Sequence, residues 1–246
     1  PDEVDADGDG VDECSGDCDD ADPGVSPNEV ENHNGVDDDC DGLVDQGALP
    51  ANALIITEIM KNPAAVADEQ GEWFELLNNT DVPMNLMGLE ISDAGSNYHL
   101  VSAPVPVPPH GYAVIGRDAD PGANGGVNVD YVTGTDIQVA NGDDEIILRF
   151  GGVELDRAEY DDPDWPDTSG AAMSLQIDFY DTALNDDPDS WCDASDVYGA
   201  GDLGTPGEDN PFCCAAADGD GFGDALRGGL DCDDGDANVN PDAEEM

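Results

Sequence analysis

The two ends of this chain are copies of one pattern, punctuated by Asp, Gly and Cys. The first copy reads Asp17-Cys18-Asp19-Asp20-Ala21-Asp22, with Val25 and Pro27 following. The second reads Asp231-Cys232-Asp233-Asp234-Gly235-Asp236, with Val239 and Pro241 at the same offsets. Upstream, Ala6-Asp7-Gly8-Asp9-Gly10 answers Ala217-Asp218-Gly219-Asp220-Gly221. Agreement at so many fixed offsets is an internal repeat rather than a compositional accident. The first copy runs on through Asn34-Gly35-Val36-Asp37-Asp38-Asp39-Cys40-Asp41-Gly42, whereas the sequence stops at Met246 before any equivalent. The expectation is that a longer polypeptide or a neighbouring subunit completes the second copy.

Charge restricts the partners. Sixty Asp and Glu stand against five Lys and Arg, a formal net charge of -55. Such a surface repels phosphate backbones and anionic bilayers, so neither nucleic acid nor a lipid surface is an expected partner. No apolar run approaches the ~18 residues that span a bilayer, so direct membrane insertion is not expected. The charge must be neutralised for the chain to stay compact, either by divalent cations at fixed sites or by a diffuse cloud of monovalent salt. The second route fits a saline habitat, but it does not explain the regular spacing.

Composition divides the chain into a repeat at 1–47, a core-bearing region at 51–212 and a second, incomplete repeat at 213–246. The middle reads as β. Leu54–Met60, Trp73–Asn78 and Gly111–Gly116 are short β-branched or aromatic runs bounded by Asn, Pro and Gly. Glu145–Phe150 and Val153–Tyr160 flank Gly151-Gly152, a pair suited to the positive φ angles of a tight hairpin. About eight or nine short strands with no convincing amphipathic helix favour a mostly β chain built on a sandwich.

Calcium takes six to eight oxygen ligands, and alternating Asp on a tightly turning loop supplies them. Asp5, Asp7, Asp9 and Gly10 fall at positions 1, 3, 5 and 6 of an EF-hand-type loop, with the Val11 carbonyl next. Asp37, Asp39, Asp41 and Gly42 repeat that arrangement, with Asp45 at position 9. The C-terminal copy keeps Asp218, Asp220 and Gly221, with Asp224 beyond, but has Ala216 first. None has Glu at position 12 or flanking helices, so these are not EF-hands. Further ligands are expected from Asp17, Asp19, Asp20 and Asp22, and from Asp231, Asp233, Asp234 and Asp236. Several calcium ions are therefore expected, set against the alternative of solvated acidic tails. His33 is a softer donor on a loop otherwise rich in oxygen, where surface polarity is the simpler role.

Seven cysteines without zinc spacing, in so acidic a chain, point to an oxidising, extracellular compartment and disulfides. Cys18 and Cys40 bracket the first metal region and are the expected pair. Cys192 is expected to bond Cys213 or Cys214, with Cys14 and Cys232 left open.

The terminal segments resemble the MopE-type metal-binding repeat of large secreted bacterial proteins. The residues that carry this are Asp5–Gly10, Asp17–Asp20, Pro27 and Gly35–Gly42. His33 stands where that family commonly has Cys, which leaves the partner of Cys14 open. Thrombospondin type 3 calcium repeats are similar in style. The middle resembles a bacterial lamin-tail domain, through Ile56–Met60 with Asn62-Pro63, Gly71–Leu76 with Asn78, Leu86, Gly88, Leu89, Asp143–Leu148, Trp165-Pro166 and Gly204–Gly207. That resemblance implies an immunoglobulin-like sandwich in an extracellular modular setting, and no reaction.

The chain carries no GxSxG, no HExxH and no Gly-rich phosphate loop ahead of a helix. Glu58, Glu72 and Glu75 on expected strands could mimic a catalytic pair, but in so acidic a chain they read as structural. The expectation is a non-enzymatic, calcium-rigidified structural or adhesive module, secreted or on the cell surface. Its expected partners are copies of itself, head to tail, or neighbouring repeats of a longer chain, since heterologous contacts that do not close make filaments. The alternative is an accessory carbohydrate- or protein-binding module of a secreted hydrolase, presenting Trp73, Trp165 or Trp191.

Overall fold

The computed structural model describes residues 4–27, 29–32, 34–44, 49–161 and 164–211. Two sheets face each other across the main core. The larger is built from β1 (Leu54–Met60), β2 (Trp73–Asn78), β7 (Tyr112–Gly116), β8 (Tyr131–Val132), β11 (Met173–Leu175) and β12 (Trp191–Asp193). Its strand order is β12-β11-β1-β2-β7-β8, antiparallel except for the β7–β8 pair. The smaller contains β4 (Glu90–Ser92), β5 (Tyr98–Leu100), β9 (Asp144–Phe150) and β10 (Val153–Tyr160), in the order β10-β9-β4-β5. Two ribbons complete the β structure: β3 (Met84–Asn85) with β6 (Pro106–Val107), and β13 (Val197–Tyr198) with β14 (Asp202–Leu203). A single turn of helix, α1 (Asp68–Gly71), precedes β2.

The expected mostly β architecture is present, with more strands than the expected eight or nine. The additions are pieces of two or three residues, such as β3, β6, β13 and β14, too short for alternation to register in sequence. The longest runs fall where their composition placed them. All seven residues of β1 are buried, Thr57 and Glu58 included: the strand lies inside the larger sheet with both faces covered. Gly151 and Gly152 take φ of 55° and 79°, closing the β9–β10 hairpin as the paired glycines require.

Between the sheets lie Ile56, Ile59, Phe74, Leu76, Ile91, Ile146, Leu148 and Phe150 with their neighbours. A second apolar cluster (Met60, Trp73, Val114, Val127, Ala172 and Ala194) is packed by Tyr198 and Leu203. Trp73 donates from Nε1 to the Tyr198 hydroxyl at 3.1 Å. All three tryptophans are buried, Trp73 at 2%, Trp165 at 7% and Trp191 at 5% exposure, so none offers an aromatic platform to a ligand.

Each sheet carries a bulge, and each bulge frees a polar contact. The β1–β2 register shifts between Ile56 and Glu58, and the β9–β10 register shifts between Glu154 and Asp156. Asp156, 3% exposed, reaches from β10 to accept the Ile56 amide at 2.7 Å and is also bonded by Asn185. Burial pushes its carboxyl up to about 7, against the pull of those hydrogen bonds.

The Asp-rich repeat touches the sandwich through Leu43. A Cβ built on Gly88 would lie 2.9 Å from Leu43 Cδ2 and 3.1 Å from Phe150, so only glycine lets Leu43 seat there.

Candidate metal centre

Burial alternates along the first loop: Asp5, Asp7 and Asp9 are half-buried, while Ala6, Gly8 and Gly10 are exposed. The turn is closed by its own carboxylates. Asp5 accepts the Gly8 amide at 2.6 Å on one oxygen and the Gly10 amide at 3.1 Å on the other. Asp7 Oδ1 accepts the Asp9 amide at 3.1 Å, and Asp9 Oδ1 accepts the Val11 amide at 2.7 Å. Gly8 and Gly10 hold φ of 86° and 104°, the left-handed conformation the tight turn needs.

Those bonds use one oxygen each of Asp7 and Asp9. The other oxygen of each, Oδ2, is buried without a hydrogen-bond partner. Asp17, from beyond the loop, behaves the same way: Oδ1 accepts the Asp19 amide at 2.8 Å, while Oδ2 is buried and unpartnered. Asp17 as a whole is only 5% exposed. Desolvation raises the Asp7 carboxyl, and the charges of Asp9, Asp17 and Asp5 push the same way. Buried carboxylate oxygens without donors are costly unless a cation satisfies them.

The second loop repeats three of these bonds and differs at the first Asp, where Asp37 accepts the Asp41 amide at 3.1 Å in place of an amide three residues on. Asp37 accepts the Gly42 amide at 2.9 Å, Asp39 Oδ1 accepts the Asp41 amide at 3.1 Å, and Asp41 Oδ1 accepts the Leu43 amide at 2.9 Å. Ligand oxygens of Glu31, Asp37 and Asp39 lie within 4.8 Å of one another, as do those of Asp5, Asp7 and Asp9. Glu31 was not expected from sequence because it sits outside the alternating-Asp pattern. Its carboxylate is brought in by accepting the Asp39 amide at 3.0 Å. Asp41 itself is exposed. Asp38, 3% exposed, is a structural residue bonded by Asn32 and Asn34. Burial opposes its ionisation, but those bonds outweigh it and hold the carboxyl below its ordinary value.

Other expected ligands have turn-making roles. Asp20 accepts the Ala6 amide at 3.2 Å, tying the second acidic element to the first loop. Asp19 and Asp22 are exposed and accept amides two residues ahead, from Ala21 and Gly24. Val11 is half-buried at the end of the first loop. Asp45, His33 and the C-terminal candidates Asp218, Asp220, Asp224, Asp231, Asp233, Asp234 and Asp236 lie outside the described residues. The Cys18–Cys40 disulfide is present. Cys192 is disulfide-bonded too, while Cys213, Cys214 and Cys232 lie outside the described residues.

The donor set of the first loop fits a hard cation: it is all carboxylate oxygen, with no thiolate or imidazole.

The glutamates that could have mimicked a catalytic pair are buried. Glu58 and Glu75 are direct cross-strand partners, each 0% exposed. Glu58 accepts the Ser174 hydroxyl at 2.7 Å and the Thr205 amide at 3.1 Å. Glu75 accepts the Thr57 hydroxyl at 2.7 Å and the Gly207 amide at 2.6 Å. Asn210 then donates to the carbonyls of Thr57 and Leu175 at 2.7 and 2.9 Å. The pair thus pins a strap, residues 204–210, across the sheet. Burial pushes Glu58 up to about 7, and burial together with the Glu58 charge drives Glu75 well above its ordinary value. Glu72 is bound to Arg117 at 2.9 Å and to the Val139 amide.

Two facing, largely antiparallel sheets make this a mostly β protein. Residues 48–162 match the lamin tail domain, an immunoglobulin-like, non-catalytic module type. Strands β11 to β14 and the strap lie beyond the matched segment, although β11 and β12 complete its larger sheet. No curated protein matches the chain.

Proposed function

We propose that this protein is a non-enzymatic, secreted structural or adhesive module whose Asp-rich ends bind calcium and are stiffened by it. The observation that carries this reading is the set of buried, unpartnered oxygens on Asp7, Asp9 and Asp17. The first loop would hold its ion with Asp5, Asp7, Asp9 and Asp17. The second loop, with Glu31, Asp37 and Asp39, would hold another. The likeness to MopE-type repeats supports the same assignment, and the disulfide supports an extracellular setting. Among the described residues no helix is long and apolar enough to cross a membrane.

In this reading the module is a protomer of an extracellular filament, meeting copies of itself head to tail, or one section of a long repetitive surface protein. The accessory-module alternative drew on exposed tryptophans, and their burial removes that support. Thermal unfolding in millimolar calcium, in excess chelator, and in chelator with matched monovalent salt tests the calcium assignment. Calcium at ten times its dissociation constant adds about 1.4 kcal/mol per site. Loss of that increment on chelation, without rescue by salt, is the expected result. Full rescue by sodium chloride would reassign the acidity to surface adaptation. Sedimentation in calcium against chelator tests assembly, and a monomer under both conditions would end the filament reading.

A further inference from the structure

We propose that the Cys18–Cys40 disulfide and the cation site of the first loop are thermodynamically linked. Closing the disulfide places Asp17 as the fourth carboxylate of that loop, and a cation held there protects the disulfide from reduction. The inference rests on the calcium reading and deepens it by naming what regulates the site.

Asp17 is the outlying member of the set. Asp5, Asp7 and Asp9 are held by amides of their own turn, whereas Asp17 comes from eight residues beyond Asp9. Its backbone is fixed in two ways. Its amide donates to the Asp12 carbonyl at 3.3 Å, and the next residue is the bonded Cys18. The partner sulfur belongs to a residue inside the second loop, between Asp39 and Asp41, and Cys40 there adopts a φ of 59°. Cys18 also donates its amide to Cys40 Sγ at 3.1 Å. The staple therefore anchors Asp17 to a second loop that carries its own ladder of carboxylate–amide bonds.

Without the staple, little opposes the repulsion between Asp17 and the nearby Asp7 carboxylate. Its orphan oxygen gains water by swinging out, leaving a three-carboxylate site of lower affinity. Reduction by a dithiol breaks the S–S bond with two electrons and two protons, giving the Cys18 and Cys40 thiols while the reductant closes to its own disulfide. Linkage is reciprocal: the factor by which the disulfide raises cation affinity is the factor by which the cation favours the disulfide.

The test uses the full chain and calcium as the probe. The midpoint of Cys18–Cys40 exchange against dithiothreitol is read by alkylation and peptide mass spectrometry, in calcium and in chelator. In parallel, calcium is titrated by calorimetry into the unaltered chain, Cys18→Ser/Cys40→Ser and Asp17→Asn. A tenfold loss of affinity at one site is expected in the double variant. A matching tenfold shift of the exchange midpoint is expected in the unaltered chain, which is about 30 mV for a two-electron couple. Asp17→Asn, with the disulfide intact, is expected to weaken the same site and to shrink the calcium-dependent shift. Calcium binding with an unmoved midpoint overturns the linkage and leaves the calcium reading standing. No calcium binding by the oxidised chain overturns both. Should the double variant not fold, the midpoint of the unaltered chain decides alone.

Discussion

Replacing Glu58 by Gln should change how the stability of the sandwich depends on pH, and by an amount the structure sets. Burial raises the Glu58 carboxyl from 4.5 in the unfolded chain to about 7 in the folded one. A group whose folded pKa is raised contributes stability that is complete below the unfolded value and lost as pH rises through the folded value. For Glu58 that window runs from about 4.5 to about 7, and the loss is about 3 kcal/mol at 1.36 kcal/mol per unit. Gln keeps an oxygen for the Ser174 hydroxyl and the Thr205 amide but cannot ionise. The stability difference between the variant and the unaltered protein should therefore move in the variant's favour by about 3 kcal/mol between pH 4.5 and 8. That corresponds to roughly 6–12 °C in melting temperature for a unit of this size. Urea unfolding across this range, in chelator at constant ionic strength, isolates the effect from cation binding. Asp156 titrates in the same window and the net charge falls as carboxylates protonate, and both are common to the two proteins. Glu75 is not, because removing the Glu58 charge relieves a repulsion that raises its carboxyl and moves the difference further in the variant's favour. Parallel pH profiles would refute the claim that Glu58 carries its proton up to neutral pH.

Asn210→Ala strips the donor from two carbonyls, Thr57 and Leu175, and should cost about 2–3 kcal/mol, with faster amide exchange confined first to 204–210. Gly199→Ala should be among the most damaging single changes. A Cβ there would sit 2.0 Å from the Gly125 carbonyl oxygen on a backbone with φ of 45°, and a loss above about 3 kcal/mol in denaturant unfolding is expected. Gly88→Ala should displace Leu43 without unfolding the sandwich. Exchange protection should fall in residues 35–44 while the β9–β10 amides keep theirs.

Much of the frame was legible because its strands are long and differ in kind from their flanks. β1, β2 and β10 begin and end where composition placed them, and the hairpin follows from two glycines that alone tolerate its φ angles. The short ribbons were not legible, since two residues carry no period. Neither was the strap: Glu58 and Glu75 look like any other acidic residues until the register sets them side by side with Thr205 and Gly207 above them. At the candidate metal centre, the alternating Asp residues marked where the two carboxylate-closed turns form. Glu31 escaped because it reaches the second loop through a backbone contact made by folding, not through spacing. Sequence also could not separate ligand candidates such as Asp17 from turn-makers such as Asp22, because the difference lies in which oxygens are left without donors.

The strap has a mechanical consequence. With the Cys192 disulfide reduced, tension applied beyond residue 210 meets the Asn210 side-chain amide first, then the Gly207 amide on Glu75, and last the Thr205 amide on Glu58. Those bonds end on β1, β2 and β11, neighbouring strands inside the larger sheet, so a pull on that end is delivered to the middle of the sheet and not to its rim. Reduced, the strap would let go one contact at a time before the sheet parts; oxidised, the bond at Cys192 holds that end to β12 and the strap carries none of the load.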